Sequence, residues 1–575
     1  MWRMFVVVLV LATAWVGLGA RLLLLHLGPN EKLRSRIENI RRDEQKIPVS
    51  RGRVLDCHGN ILALDRTVKD VWADPGVIYS NGHVNVVGTY LARLLQLDPA
   101  MVFERLNRPS RKFEYIQRYV QEDTADQIER MQLKGVFFKP AFARYYPKGS
   151  MFCHVIGFAN LEGVGSAGVE QRFDPYLRGH SGLRISEKDG KSHEVYGRRS
   201  LDIKPQQGVD VYLTLDQNLQ YIVEKALDTA LEEYQAKGAW AIVERVKTGE
   251  ILAMASRPAY DPNLYRTAPT NGVLNRPIGY VYEPGSIFKV AVISAALNEG
   301  VVESEEIFDC ENGMWMFQRR PLRDYHPNGR LSVADILKKS SNIGTAKVAL
   351  KLGERRLEQY LRDFGIGRTS GIELPGEEAG ILHDRSKWSA LSISRIPIGQ
   401  GVSVTSIQML NMLCAIANNG FLMKPTIIQR MVDAEGRTVM EFSPEVVARP
   451  IREDTARLMQ KLMIRVTEEG GTGTKARVAG YTVAGKTGTA QKVIQGVYSD
   501  SANWASFMGF LPAENPELAI IVTVDEPQPL RTGGMVAAPV FREIAEQAVR
   551  YLDIPPAGPE ISVAELAKEP SSGGM

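Results

Sequence analysis

Three short stretches of this chain carry residue types that could do acyl-transfer chemistry. Ser286 and Lys289 stand three residues apart in SIFKVAVISAALNE, and residues at i and i+3 share one face of a helix. A serine hydroxyl is a poor nucleophile until a base takes its proton. A lysine can do that when burial or a second cation lowers its pKa. No other Ser-x-x-Lys occurs in the chain. Alone, the pair reads more readily as a capping serine with a snorkelling lysine. Ser340-Ser341-Asn342 and Lys486-Thr487-Gly488-Thr489 change that weighing. Each has one competitor, Ser501-Ala502-Asn503 and Lys247-Thr248-Gly249. Only the stretches at 286, 340 and 486 follow one another as Ser-x-x-Lys, Ser-x-Asn, Lys-Thr-Gly.

The elements that must hold these residues are legible. Glu283-Pro284-Gly285 starts a helix over 286–299 and Gly300 stops it. It is apolar nearly all round and should be buried. Ser340-Ser341-Asn342 falls between SVADILKK and IGTAKVALKL, on a helix–helix connection. Lys486 comes after YTVAG, a run that predicts strand. VDVYLTL predicts a strand, Asp216 caps the helix after it, and Leu219, Val223, Ala226, Leu227 and Ala230 share one face of that helix. AWAIVERV and EILAMAS read as a strand pair around Lys247-Thr248-Gly249. NWASFMGFL and LAIIVTV are two more strands before the helix APVFREIAEQAVRYL. Strands at both ends and helices between them predict a single sheet closed by both termini of residues 205–555.

The chain has 575 residues, a prior of roughly three or four domains. Hydrophobic residues at 44% and charged residues at 24% exclude a disordered or multi-span chain. A net charge of +4, 70 basic against 66 acidic residues, gives no support to nucleic-acid binding. Four cysteines, Cys57, Cys153, Cys310 and Cys414, are too few for a disulfide scaffold, and their pairing is open. None lies in a Cys-x-x-Cys, which argues against structural zinc. Residues 4–27 are almost continuously apolar, long enough to span a bilayer and too long for the core of a cleavable signal peptide. With Arg3 before the span, the N-terminus should stay in the cytoplasm and the body lie outside. Residues 28–47 are charge-dense and helix-prone and read as a juxtamembrane stalk. Residues 48–204 lack any concentration of catalytic residue types and form a separate α+β module. RGRVLDCHGNILAL reads there as two strands around Cys57-His58-Gly59-Asn60. The tail, 556–575, is rich in Pro, Ser and Gly and should be disordered.

The ordered triple is the signature of penicillin-binding proteins and serine β-lactamases, and the whole of residues 48–555 resembles a class B penicillin-binding protein. RGRVLDCHGNILA resembles the family's RGxIxDRNGxxLA. RYYPKGSMFCHVIGF and GVEQRFDPYLRG resemble its pedestal motifs, and GQGVSVTSIQM, AGKTGTAQK, GFLPAENP and VTVDEP its catalytic ones. VKDVWADPGVI leans toward the division-specific subgroup over the elongation subgroup. The resemblance implies a transmembrane helix, an α+β pedestal of the dimerisation type, and a transpeptidase domain with a central antiparallel sheet and an all-helical subdomain. It implies Ser286 as the nucleophile on the penultimate D-Ala of a peptidoglycan stem peptide, with release of D-Ala. Lys289 is then the base and Ser340 the proton relay. Asn342 binds the peptide, and Lys486 is the charge that holds Lys289 neutral. Thr487, Gly488 and Thr489 form the wall that receives the substrate carboxylate, and the N–H groups of Ser286 and Thr489 form the oxyanion hole. No cofactor or metal is implied. Implied partners are stem peptides, β-lactams as covalent inhibitors, the bacterial inner membrane, a membrane glycosyltransferase and other division proteins. Two positions depart from the pattern: Glu244-Arg245-Val246 replaces an Asp-Pro-like turn lead, and Cys57 stands where the family usually has Arg.

Gly480 to Thr487 also fits the P-loop string G-x-x-x-x-G-K-T, but its inner residues are strand formers and no helical pattern comes after it. Gly163 to Gly168 fits G-x-G-x-x-G and reads as a turn. His326 and His383 are too sparse for a histidine triad or a zinc cluster. A β-lactamase or carboxypeptidase fits the anchor and the 48–204 module less well. Residues 28–204 are too few for a glycosyltransferase domain, and a degenerate β-lactam sensor or scaffold conflicts with the intact triple.

Overall fold

A computed structural model of the chain describes residues 1–27, 42–188 and 194–556. It contains two compact units, 1–50 with 179–207, and 51–178 with the chain from 208 onward. In the first unit, Trp2–Leu27 is one helix, long and apolar enough to cross a membrane. Arg42–Ile47 is a strand antiparallel to Gly182–Lys188. Leu201–Ile203 and Glu194–Val195 also pair with Gly182–Lys188. The end of the expected stalk is therefore strand, because a partner some 140 residues away takes up its backbone groups, a contact that its charge pattern does not announce. Residues 28–41 of the stalk and 557–575 of the tail lie outside the described residues.

The described residues of the second unit hold two large sheets and three two-stranded ones. The first has seven strands. Its continuous path runs Thr438–Glu441, Ile428–Val432, Asp210–Leu213, Val54–Leu55, Ile61–Ala73, Glu114–Gln121, with Val136–Tyr145 also on Ile61–Ala73. VDVYLTL therefore joins this sheet, parallel to Val54–Leu55, instead of the catalytic one. Val84–Leu94, Pro99–Leu106 and Glu122–Arg130 pack on it through Val87, Leu91, Val102, Leu106 and Ile128. Beside it, Arg51 reaches Glu170 at 2.6 Å and Asp174 at 2.6 Å, while Arg144 reaches Glu170 at 2.6 Å and Asp65 at 3.2 Å. Arg51, Glu170 and Asp174 come from the RGRV and GVEQRFD stretches, so those motifs are joined by buried ion pairs.

The second sheet is antiparallel, in the order Ile251–Arg257, Gly238–Arg245, Leu518–Asp525, Val497–Leu511, Ala484–Ile494. Ala239, Ala241 and Val243 face the helices Gln217–Glu233 and Ala537–Tyr551, while Ile242, Met508, Phe510 and Ile521 face the helical layer formed by the middle of the chain. Both faces are covered, which is why these strands read as apolar runs instead of alternating. Asp216 caps the first helix by accepting from Asn218 N and Leu219 N at 2.8 and 3.1 Å. Glu244 is fully buried in this sheet, and burial pushes its carboxyl up to about 8. All four cysteines are free.

Candidate active site

Ser286 sits in the 3-10 turn Gly285–Phe288, which runs straight into the buried helix Lys289–Asn298. The turn is wedged between two backbones. A Cβ on Gly399 (φ +78) would lie 2.3 Å from Gly285 O, so the Gly399-Gln400-Gly401 loop can approach only as glycine. Gly285 N donates to Gly399 O at 3.3 Å. On the other side lies the strand Ala484–Ile494, where a Cβ on Gly488 would meet Ser506 Oγ at 2.3 Å and Ile287 at 3.0 Å. Lys486, Thr487, Gly488 and Thr489 lie inside this strand. The YTVAG run expected as strand enters it only at Ala484, and Lys-Thr-Gly continues the strand. An antiparallel strand with no helix directly after it also removes the P-loop reading.

Ser340 ends the helix Val333–Lys339, and Ser341 caps Asn342–Leu352 by accepting from Gly344 N at 3.0 Å. Ser340 is left-handed (φ 60, ψ 40), which for a serine costs about 1 kcal/mol. The surroundings hold it there. Asp324 accepts from Asn342 N at 2.6 Å, Ile343 N at 3.0 Å and Ser341 Oγ at 2.7 Å. Asp324 is a positioning residue that sequence reasoning missed, because nothing in the spacing of RDYHPNG marks it.

Two lysines converge on the Ser340 hydroxyl. Lys289 Nζ donates to Ser340 O at 2.5 Å and to Ser340 Oγ at 3.2 Å, and Lys486 Nζ donates to Ser340 Oγ at 2.9 Å and to Thr487 O at 3.1 Å. Both lysines are wholly buried, while Ser286, one helical turn from Lys289, is partly exposed. Burial pushes the Lys289 pKa down to about 7, against a smaller upward pull from Asp324. Lys486 is pushed well below its ordinary value, by burial first and then by Lys289. Burial is the first cause at both lysines, and their closeness adds like-charge repulsion that disfavours charging the pair. An uncharged lysine beside a serine hydroxyl, as Lys289 is beside Ser340 Oγ, can accept a proton.

The remaining predicted residues line the same place. Thr489 is exposed on the strand, its Oγ1 accepting from Gly533 N at 3.1 Å. Thr487 is buried, with its Oγ1 2.8 Å from Thr472 Oγ1. Asn342 donates its Nδ2 to Arg323 O at 2.8 Å. The competitors lie elsewhere: Lys247 pairs with Glu517 at 2.6 Å, and Asn503 donates to Arg531 O.

Residues 239–546 match the penicillin binding protein transpeptidase domain, and residues 46–213 match the penicillin-binding protein dimerisation domain. The chain belongs to the class B penicillin-binding proteins. This penicillin-binding protein is 32% identical over 99% of its length to the probable peptidoglycan D,D-transpeptidase PenA of Neisseria meningitidis, covering 96% of that protein. It is 33% identical over 89% of its length to the peptidoglycan D,D-transpeptidase FtsI of Escherichia coli, covering 85% of it. Among solved structures it resembles penicillin binding protein 3 of Mycobacterium tuberculosis in complex with aztreonam, at 27% identity and a TM-score of 0.71, over 90% of this chain and 98% of that one.

Proposed function

We propose that this penicillin-binding protein is a peptidoglycan D,D-transpeptidase that works in septal wall synthesis. The observation that carries the chemistry is the convergence of Lys289, which follows Ser286 by one helical turn, and Lys486 on the Ser340 hydroxyl. Ser286 Oγ attacks the carbonyl of the penultimate D-Ala while Lys289 Nζ takes its proton. The proton reaches the leaving D-Ala amine through Ser340, and the C–N bond breaks to leave an acyl-Ser286. An amine from a second stem peptide then attacks that ester, gives up its proton by the same route and closes the cross-link. The N–H groups of Ser286 and Thr489 hold the oxyanion. Thr487, Gly488 and Thr489 hold the substrate carboxylate beside Lys486, and Asn342 holds the peptide. A β-lactam acylates Ser286 and stays there.

The septal assignment rests on the resemblance of VKDVWADPGVI to the division subgroup. The one helix among the described residues long and apolar enough to cross a membrane supports an inner-membrane anchor, with the N-terminus in the cytoplasm and the pedestal, 48–204, and catalytic domain, 205–555, outside. A membrane glycosyltransferase is the expected partner. Labelling with a fluorescent penicillin tests the chemistry: wild type takes label and Ser286→Ala does not, while equal labelling of both defeats the reading. Depletion in the host tests the role, with filaments expected and round cells pointing to elongation.

A further inference from the structure

Cys57 has no part in the chemistry above, and its surroundings give it one of its own. Cys57 and His58 are adjacent in the turn between Val54–Leu55 and Ile61–Ala73. Asp216 is 158 residues away from His58 and caps the first helix of the catalytic region. His58 Nε2 lies 2.9 Å from Asp216 Oδ2, Cys57 Sγ lies 3.9 Å from the same oxygen, and all three ligand-type atoms fall within 4.8 Å of one another.

We propose that Cys57 Sγ, His58 Nε2 and Asp216 Oδ2 bind a zinc ion, with solvent completing a four-coordinate site. A tetrahedral centre with bonds of about 2.0–2.3 Å needs ligand atoms roughly 3.3–3.6 Å apart. The observed 2.9 and 3.9 Å separations lie on either side of that range, so His58 Nε2 would move away from Asp216 Oδ2, and Cys57 Sγ toward it, by a few tenths of an ångström each. Mixed S, N and O donors in this number suit zinc better than an oxygen-seeking cation. On binding, the Cys57 thiol proton leaves to solvent and the Sγ–Zn bond replaces it. His58 binds as neutral imidazole and gives up its hydrogen bond to Asp216.

Four features argue for a site over a chance meeting of side chains. The first is rigidity of the frame: Asp56 Oδ1 accepts from His58 N at 3.0 Å and Asn60 N at 2.7 Å, and Cys57 N donates to Leu215 O at 3.0 Å. The second is division of labour in Asp216, whose Oδ1 serves the helix cap and whose Oδ2 is left for the ion. The third is outer support: Tyr551 OH, from the last helix, donates to Oδ2 at 3.0 Å, as hydrogen-bond donors around metal ligands do. The fourth is charge. Asp56 and Asp216 both face the turn, and among the described residues neither is paired with a lysine or arginine. A divalent ion binding with loss of the Cys57 proton would offset one of these two charges. His58, with its side chain 59% exposed, leaves an entry path. The Cys-x-x-Cys pattern does not capture this arrangement, because the ligands are one adjacent pair and one distant acid.

The test uses the full-length protein in detergent, stripped with chelator and titrated with Zn²⁺ or with Co²⁺ as a spectroscopic probe. Wild type should retain about one zinc per chain after desalting, and its Co²⁺ form should show a thiolate-to-metal charge-transfer band. Cys57→Ser should lose the band and weaken zinc binding by about 100-fold or more. Tyr551→Phe should keep the ion and lose about 10-fold in affinity. Fluorescent-penicillin labelling of Ser286 in each variant reports folding separately, so failure of the zinc site and failure of the transpeptidase reading are distinguishable. No charge-transfer band in wild type, or zinc binding unchanged in a labelled Cys57→Ser, would overturn the proposal.

Discussion

Two places in this protein bury charge, in opposite ways. Within the pedestal, Arg51 and Arg144, each 4% exposed, close around Glu170, which is fully buried, with Asp174 and Asp65 at the edges. Each cation meets an anion at hydrogen-bond distance. In the crevice, Lys289 and Lys486 are equally buried, but among the described residues neither has a carboxylate within ion-pair distance. Asp324, the acid that acts on Lys289, spends its oxygens on the Ser341-Asn342 turn. Opposite charges buried together lock two sequence motifs, whereas like charges buried together lose a proton and leave a base. The same physics, desolvation of an ion, gives architecture in one place and reactivity in the other.

Removing the base should have the largest effect. Lys289→Met replaces a buried amine with an apolar side chain of similar length, so acylation by a reporter β-lactam should fall by about 10⁴-fold with the fold retained. Stopped-flow acylation and circular dichroism check both halves. On the pedestal side, Glu170→Ala removes the anion that two buried guanidinium groups share, leaves each with one edge partner, and should cost about 3 kcal/mol in urea unfolding. That contrasts directly with the lysine variant, where stability should hold or rise. Lys486→Met should reduce acylation by about 10²-fold and leave stability unchanged or higher by about 1 kcal/mol, because it removes a buried amine without orphaning a partner. Asp324→Asn should be the mildest, about 10-fold in acylation, since one carboxylate oxygen becomes a donor and no longer accepts from the turn. Its effect should fall on the acylation step and leave β-lactam binding largely unchanged, as expected of a residue that positions Ser340.

The reactive residues were legible because their motifs are local: Ser286 and Lys289 share a helix face, and Ser340 and Lys486 lie in motifs whose order alone separates them from Ser501 and Lys247. The strands of the catalytic sheet were legible as apolar runs. What the sequence hid is long-range. Arg42–Ile47 becomes strand only through its partner at Gly182–Lys188, and Asp210–Leu213 alternates equally well for either sheet until Val54–Leu55 pairs with it. Asp324 and the Asp216 cluster are built from residues without a telling spacing, so only the folded chain brings them to their partners. The low Lys289 pKa was legible in outline, since an all-round apolar helix predicts burial but not that the amine itself is wholly enclosed.

Acylation by this route requires Lys289 to be uncharged when it takes the Ser286 proton. The most direct measurement is the pH dependence of the acylation rate constant with a non-ionising β-lactam. The folded pKa of Lys289 is about 7 against an ordinary 10.5, so the neutral fraction grows as pH rises through 7. The rate should climb tenfold per pH unit below about 7 and level off above it. A profile still climbing past pH 9 toward 10.5, or one flat from pH 5 to 9, would contradict the claim that burial makes this lysine the base.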